Sequence, residues 1–460
     1  MALTAGTTQL PAVPPRRDRT RRLAATTALL VGAVGAAWMV SRDPTLTLVG
    51  LAAAVAVGAV TRHLTAAVAI LVASFFFDGY LTGGVGLLTV TKAIGAIAIM
   101  AWFLDWAVHA RRVRWVPHLW PLLAFAVWLV PSLAVVHDQQ LGLVVASRYL
   151  MFFAFFFLVV QTVDGDYDRA TKVVDVTVAA AAVAAVLGLV PFVLGWVDRA
   201  SGPLSDANDF AFLLASVLPL ALHRFATSST RAARVWFGLA ATALGVTTLA
   251  TFSRGALVAL AVGLAWALVT RRIKLVTGLA TIAALVVVGL AGYLYDPEAV
   301  DAALERKQAV AQANVDTRTE AWRVALDQFR AEPLTGVGPG NFTVRFDEFA
   351  LPDPDVGVIT THNAYLNILA ELGAPGLVAF LAYLGVSWYY LRQREPDDAE
   401  VDGLRSALAA GFLVAAVGAF FLTEQFYAPL WLLGALGAVP PRRSSNGARS
   451  TAGAAVDARP

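Results

Sequence analysis

The chain has no cysteine and six histidines. Thiolate nucleophiles, thiolate metal sites and disulfides are therefore excluded, and any chemistry falls to other side chains. Arg254 sits in Thr251-Phe252-Ser253-Arg254-Gly255, between two long apolar runs with almost no loop. A planar, permanently charged fork in that setting suits a phosphate. It equally suits an interfacial arginine whose stem lies along lipid while its head reaches the headgroups. His362, in Thr361-His362-Asn363-Ala364-Tyr365, stands where a hydrophilic stretch gives way to an apolar run. It is placed either to act as a general base or to be held at a helix start by a neighbouring backbone group. Arg318 and Arg323 lie in the same hydrophilic stretch, and each reads as a ligand-binding cation or as a solvated helix residue. Lys92, Arg148 and Glu424 fall within or at the ends of apolar runs, where charge is costly. Asp206, Asn208 and Asp209 cluster at the start of another run, where Asp206 and Asn208 also suit a helix cap.

The elements that must position these groups are membrane helices. Of 460 residues 58% are hydrophobic and only 15% charged, too little polar surface for a soluble globule of this size. Long Ala-, Val-, Leu- and Gly-rich runs with short charged punctuation indicate a helical bundle and not the ten-residue alternation of a membrane barrel. Apolar windows fall at 23–40, 45–61, 64–77, 86–104, 118–136, 143–161, 172–197, 209–223, 235–251, 255–270, 275–295, 363–391, 404–423 and 428–439. The third, eighth and last are short, so about 12–14 transmembrane helices are expected. Residues 1–22 carry five arginines ahead of the first run, which reads as a retained helix because more membrane segments follow it.

Charge sidedness orients the chain. Placing the N-terminal tail in the cytoplasm puts 24 of the 35 Lys and Arg residues on the inner side, and six of the remainder lie in one long loop where the rule is weak. Both termini are thus expected inside, with 296–361 an extracytoplasmic loop and 1–22 and 440–460 disordered tails. The domain reading is helices over 23–295, the loop over 296–361, and C-terminal helices over 362–439. Within the loop, Thr317 and Glu320 form a capping-box pattern. Trp322, Ala325, Leu326 and Phe329 recur at helical spacing, so a short amphipathic helix is expected to stop at Pro333, ahead of the turn-rich Gly336-Val337-Gly338-Pro339-Gly340. Asp347, Glu348, Asp353 and Asp355 make an acidic run, read as solvated. The dispersed basic residues argue against nucleic acid. No Walker loop, dinucleotide fingerprint or HExxH motif is present.

Taken together, certain segments resemble the O-antigen ligase and polysaccharide polymerase superfamily of membrane glycosyltransferases. They are Asp206-Ala207-Asn208-Asp209-Phe210-Ala211, Ser253-Arg254-Gly255-Ala256, Arg318-Thr319-Glu320-Ala321-Trp322, Pro333-Leu334-Thr335-Gly336-Val337-Gly338-Pro339-Gly340-Asn341-Phe342, His362-Asn363-Ala364-Tyr365-Leu366 and Glu371-Leu372-Gly373-Ala374-Pro375-Gly376. The resemblance covers about residues 200–390; the first six helices are generic.

The resemblance implies a GT-C-like, all-α polytopic enzyme in the cytoplasmic (inner) membrane. It would move a glycan from an undecaprenyl-diphosphate-linked donor to a hydroxyl of an acceptor glycan, lipid or protein at the outer face, without metal or other cofactor. By similarity Arg254 and Arg318 hold the diphosphate and His362 takes the acceptor's proton. Arg323, Arg148, Asn208 and Glu424 are secondary candidates. A flippase and a chain-length regulator would be its partners. Ligase and polymerase both fit. The rival reading is a secondary transporter of a small anionic solute, which predicts inverted repeats that the sequence does not display; a scaffold without activity is the third.

Overall fold

The computed structural model describes residues 63–78, 90–109, 112–204, 206–272, 294, 317–350 and 360–439. The tails, the apolar windows at 23–40 and 45–61, and all of the window at 275–295 but residue 294 lie outside the described residues. The helices are α1 (Leu64–Phe75), α2 (Val90–His109), α3 (Leu119–Leu133), α4 (Gln139–Val163), α5 (Tyr167–Val193), α6 (Ala207–Thr227), α7 (Arg231–Ala250), α8 (Arg254–Val269), α9 (317–331), α10 (Ala364–Leu391), α11 (Ala399–Gly418) and α12 (Ala428–Ala438). No strand occurs among the described residues. Seven of these helices (α2, α4, α5, α6, α7, α10 and α11) are long and apolar enough to cross a membrane, and α1, α3, α8 and α12 are shorter apolar helices. The chain is an all-α, multi-pass membrane protein.

The backbone divides into two compact units, residues 1–64 with 96–113, and residues 65–95 with 114–460. In the first, the described part is the bulk of α2, where Trp102 stacks on Trp106 with ring centroids 6.4 Å apart. The second holds every candidate residue.

Polar side chains set the ends of its helices. Asp138, Asp166, Asp206, Thr230, Asn363 and Asp398 each cap a helix by accepting from backbone amides one turn in, satisfying donors that a membrane helix cannot leave bare. These caps explain why α7 begins at Arg231, four residues ahead of its apolar window. Helix α6 packs on α7 and α11, and α8 packs on α11. Where α6, α8 and α11 meet, Ala211, Phe212, Ala215, Ala256, Ala259, Val414 and Leu422 form one buried cluster. Small residues allow that approach: a Cβ at Gly411 would stand 2.4 Å from the Ser216 carbonyl oxygen.

Helix α10 is broken. Gly373 has φ 65° and ψ −169°, and Pro375 follows. Pro375 has no N–H and the Ala374 N–H goes to the Pro333 carbonyl (2.9 Å), so carbonyls one turn back lose their helical donors. The turn-rich segment supplies replacements. Val337 N–H donates to Ala370 O and Gly338 N–H to Glu371 O, each at 2.9 Å, and the Trp128 indole donates to Leu372 O at 2.9 Å. Backbone approach is so close that a Cβ at Gly336 would sit 2.3 Å from the Glu371 carbonyl carbon. Asn341 completes the dock, its Oδ1 accepting from the His137 and Asp138 amides at 3.0 and 2.8 Å.

Candidate functional site

Three corners at one end of the second unit carry the sequence-derived residues. The first joins α7 to α8. Phe252 turns it with φ 52°, a conformation unfavourable for a bulky side chain, and the ring rests edge-on against Phe192. Arg254 then opens α8 with its side chain exposed. No described group hydrogen-bonds it or pairs with it.

The second corner leads into α6. Asp206 caps that helix, its Oδ1 accepting from the Asn208 and Asp209 amides at 2.7 and 3.0 Å. Asn208 makes a tertiary bond instead. Its Oδ1 accepts from Arg199 Nη2 at 2.9 Å, while Arg199 Nε donates to the Thr251 carbonyl at 2.7 Å. Arg199 therefore ties the α6 corner to the Arg254 corner. Ala200 N–H reinforces the tie by donating to Ala250 O at 3.1 Å.

The third corner precedes α10. His362 has φ 49°, a left-handed conformation that costs a non-glycine residue about 1–3 kcal/mol. Capping falls to its neighbour, since Asn363 Oδ1 accepts from the Tyr365 and Leu366 amides at 3.0 and 3.1 Å. The His362 ring is thus not used as a cap, and no described group hydrogen-bonds it. The Ala364 amide is held by the Ala419 and Leu422 carbonyls (2.8 and 2.9 Å). Phe421 of that same turn lies 3.1 Å from where a Cβ on Gly255 would be, so the turn after α11 links the His362 corner to the start of α8.

Helix α9 reaches the same place. The Trp322 indole donates to Thr361 O at 3.0 Å, and its ring meets Phe420 edge-on at 5.8 Å. The buried face runs through Ala321, Val324, Ala325 and Gln328, against Phe342, Phe346 and Ala370. Leu326 and Phe329, expected on that face, are only half-buried. Short residues at 321 and 325 bring the helix close to α10, and the buried Gln328 donates to Phe342 O at 3.0 Å.

Electrostatics ties Arg318, His362 and Asp206 together. Burial, and after it the Arg318 charge, pulls the His362 ring below the ordinary histidine pKa of 6.5, and the Asp206 charge opposes this. Burial likewise lowers Arg318 and Arg199, again offset by Asp206. Both arginines remain cations, and His362 is neutral at pH 7. Arg318 has no described carboxylate at ion-pair distance. Arg323 differs: it is bound by Glu320 (2.6 Å), Asp327 (2.8 Å) and the Phe349 carbonyl (2.9 Å), so it is occupied in holding α9 and the following turn.

Arg148 stands apart, on α4, with its guanidinium 5.9 Å from the Phe426 ring centroid. Glu424 opens the short turn Glu424–Phe426. In the acidic run Glu348 is paired with Arg345 at 2.8 Å, while Asp353 and Asp355 lie outside the described residues. Among the described residues no three His, Asp or Glu side chains converge as a metal site would require. Arg199 was missed in the sequence; the signal was a charged Asp198-Arg199 pair just upstream of Asp206 on the same side as Arg254.

Residues 238–381 match the O-antigen ligase family model, Wzy_C. That stretch contains Arg254, Arg318 and His362, and it bears out the resemblance across the part of the chain that holds them. The match supports an O-antigen ligase or polymerase-like membrane enzyme. No curated protein matches the chain.

Proposed function

From the O-antigen ligase domain at 238–381 as premise, we propose that the chain transfers a glycan from an undecaprenyl-diphosphate-linked donor to an acceptor hydroxyl at the outer face of the cytoplasmic membrane, as ligase or polymerase. Arg254 and Arg318 hold the diphosphate, and His362 is the base. The observation that carries this reading is that two arginines without a described carboxylate partner and a neutral histidine that caps nothing lie at linked corners of one end of the bundle.

The chemistry balances with these groups. The acceptor oxygen attacks the anomeric carbon, and the bond from that carbon to the phosphate oxygen breaks. The electron pair leaves on the diphosphate, and the acceptor proton passes to His362. Charge grows on the diphosphate oxygens as the bond breaks, and fixed guanidinium forks stabilise it there. With arginines in that role no divalent cation is needed. Arg199 positions Asn208 and the Thr251 turn. Arg323 and Glu424 are assigned no contact with substrate.

The experiment is transfer from a lipid-linked donor by purified protein in EDTA. Wild-type turnover is expected to persist in the chelator, and His362→Ala is expected to abolish it. Wild-type loss that Mg²⁺ restores would refute metal independence, and near-normal turnover by His362→Ala would remove the base. Topology is tested separately: in this cysteine-free chain, a thiol placed by Ala350→Cys should react with an impermeant reagent from outside. Labelling only from the cytoplasmic side would overturn the sidedness and the mechanism with it.

A further inference from the structure

A cavity of about 570 Å³ lies beside the corners that lead into α6 and α10, within the roughly 300–1,000 Å³ range of small-molecule sites. Its wall carries Arg148, Lys92, Asp78 and Glu371 as charged groups. Hydroxyls and amides come from Thr343, Thr360, Thr423, Tyr427 and Asn367, and aromatic faces from Phe75, Phe152, Phe342 and Phe426. Arg148 and Lys92 share the wall with the carboxyl groups of Asp78 and Glu371, so the lining is mixed in character and is not the ring of cations that a diphosphate selects. Mixed donors and acceptors interleaved with aromatic faces fit a polyhydroxylated ligand, whose C–H faces pack on rings while its hydroxyls bond to amides, hydroxyls and carboxylates. Two wall atoms, Asp78 Oδ1 and Thr91 Oγ1, are buried without a hydrogen-bond partner among the described residues. Buried polar atoms left unpaired are costly and point to a partner beyond the described residues.

The cavity is joined to the reaction centre by structure. Thr360 and Thr423 are hydrogen-bonded to each other at 2.5 Å on its wall, and Thr360 lies two residues before His362. Tyr427, also on the wall, donates to Asp209 in the first turn of α6, the turn that Asp206 caps and in which Asn208 engages Arg199. We propose that this cavity is the acceptor subsite, holding the terminal sugars of a short, largely uncharged stretch of acceptor saccharide with one hydroxyl presented past Thr360 to His362. Arg148 is its binding residue in α4, free of any described carboxylate and held over Phe426 to donate to sugar oxygens. The proposal rests on the glycosyl-transfer reading above.

The test uses full-length protein in nanodiscs and two probes. One is a fluorescently labelled oligosaccharide cut from the producing cell's own surface polysaccharide, followed by anisotropy. The other is undecaprenyl diphosphate. Arg148→Gln, at an exposed position, is expected to weaken oligosaccharide binding by at least about tenfold, the loss of one charged hydrogen bond. Thr343→Trp, which fills the cavity from the loop side, is expected to abolish it. Both should bind undecaprenyl diphosphate as wild type does and keep the wild-type melting temperature. Failure of wild type to bind the oligosaccharide, or wild-type oligosaccharide affinity in both variants, would overturn the acceptor subsite. So would selective loss of diphosphate affinity, which would give the cavity to the donor. Arg254→Ala in the same assay separates the two readings: if it still binds undecaprenyl diphosphate normally, the diphosphate assignment of Arg254 fails while the oligosaccharide result stands.

Discussion

The two ends of the helices in residues 114–460 treat arginine differently. At one end the arginines are mostly matched. Arg224 pairs with Asp175 (2.5 Å), Arg272 with Asp402 (2.9 Å) and also with Ser406, Arg114 with Asp164 (3.1 Å), and Arg405 lies 3.8 Å from Glu395 while also bonding to the Tyr390 carbonyl. At the other end Arg323 and Arg345 are paired with carboxylates of their own segment, whereas Arg254, Arg318 and Arg148 have no described carboxylate within ion-pair distance. A cation in or beside a bundle is costly to leave unmatched. The matched end has met that cost with protein groups, so its arginines are structural. At the other end, the negative charge of a lipid diphosphate is what the proposed reaction would bring to Arg254 and Arg318.

The contrast can be broken most forcefully by alanine at each end. Arg254→Ala is expected to lower transfer by about 10²–10³ or more, the scale for removing an oriented charge-stabilising donor, while leaving thermal stability near wild type. Arg254→Lys should recover only part, since it keeps the charge and loses the fork. Arg272→Ala should do the reverse, costing about 3 kcal/mol of stability by taking the counter-charge from a partly buried carboxylate and sparing the specific activity of the folded fraction. Unfolding and turnover measured on the same preparations check both, and an Arg254→Ala protein that is unstable but fully active per folded molecule would erase the distinction.

A pH profile sharpens it next. His362 must be neutral to accept a proton, and its folded pKa is lowered below 6.5, so kcat/KM is expected to fall on the acid side, below about pH 6.5, as the ring takes up a proton. Arg318→Gln removes a cation that disfavours that proton, so it should move the limb to higher pH as well as slowing transfer. Asp206→Asn removes the charge that favours it and should move the limb to lower pH. A limb that stays fixed in both variants would mean another group titrates.

The smallest effect belongs to Arg323. Its bonds to Glu320 and Asp327 are partly exposed pairs three and four residues apart on one helix, together contributing less than about 1 kcal/mol. Arg323→Gln should therefore leave transfer within about threefold of wild type. If Arg323→Gln is as damaging as Arg318→Gln, the two arginines share the role that the structure separates.

Helix placement was largely legible because long apolar runs have few alternatives in a membrane. The window 363–391 and helix α10 agree to one residue at the start, whereas α6 and α7 begin earlier than their windows because Asp206 and Thr230 set the ends by capping. Arg254 stood out as an isolated charge between apolar runs, and His362 as a histidine where a hydrophilic stretch meets one. The difference between Arg318 and Arg323 was within reach too, since Glu320 and Asp327 lie three and four residues from Arg323 in the sequence. The role of Arg199 was not: the Asp198-Arg199 pair marks only a charged spot upstream of Asp206, and its partners are a carbonyl 52 residues away and a side chain nine away. Nor could spacing reveal that Asn363, and not His362, would cap α10, since both are polar residues at that helix start.

The break in α10 also constrains how the protein is made and how it can be altered. Carbonyls at 370, 371 and 372 entering hydrocarbon before Val337, Gly338 and Trp128 arrive would each be left unsatisfied at a cost of several kcal/mol. The 364–391 segment is therefore poorly suited to insert as an independent span, and its stable placement awaits the docking of a stretch translated some thirty residues earlier. The same bonds make 333–341 and 370–375 one exchangeable module. A chimera that imports a foreign outer loop with its own matching helix break should assemble, whereas the loop transplanted alone should yield a chain retained by membrane quality control.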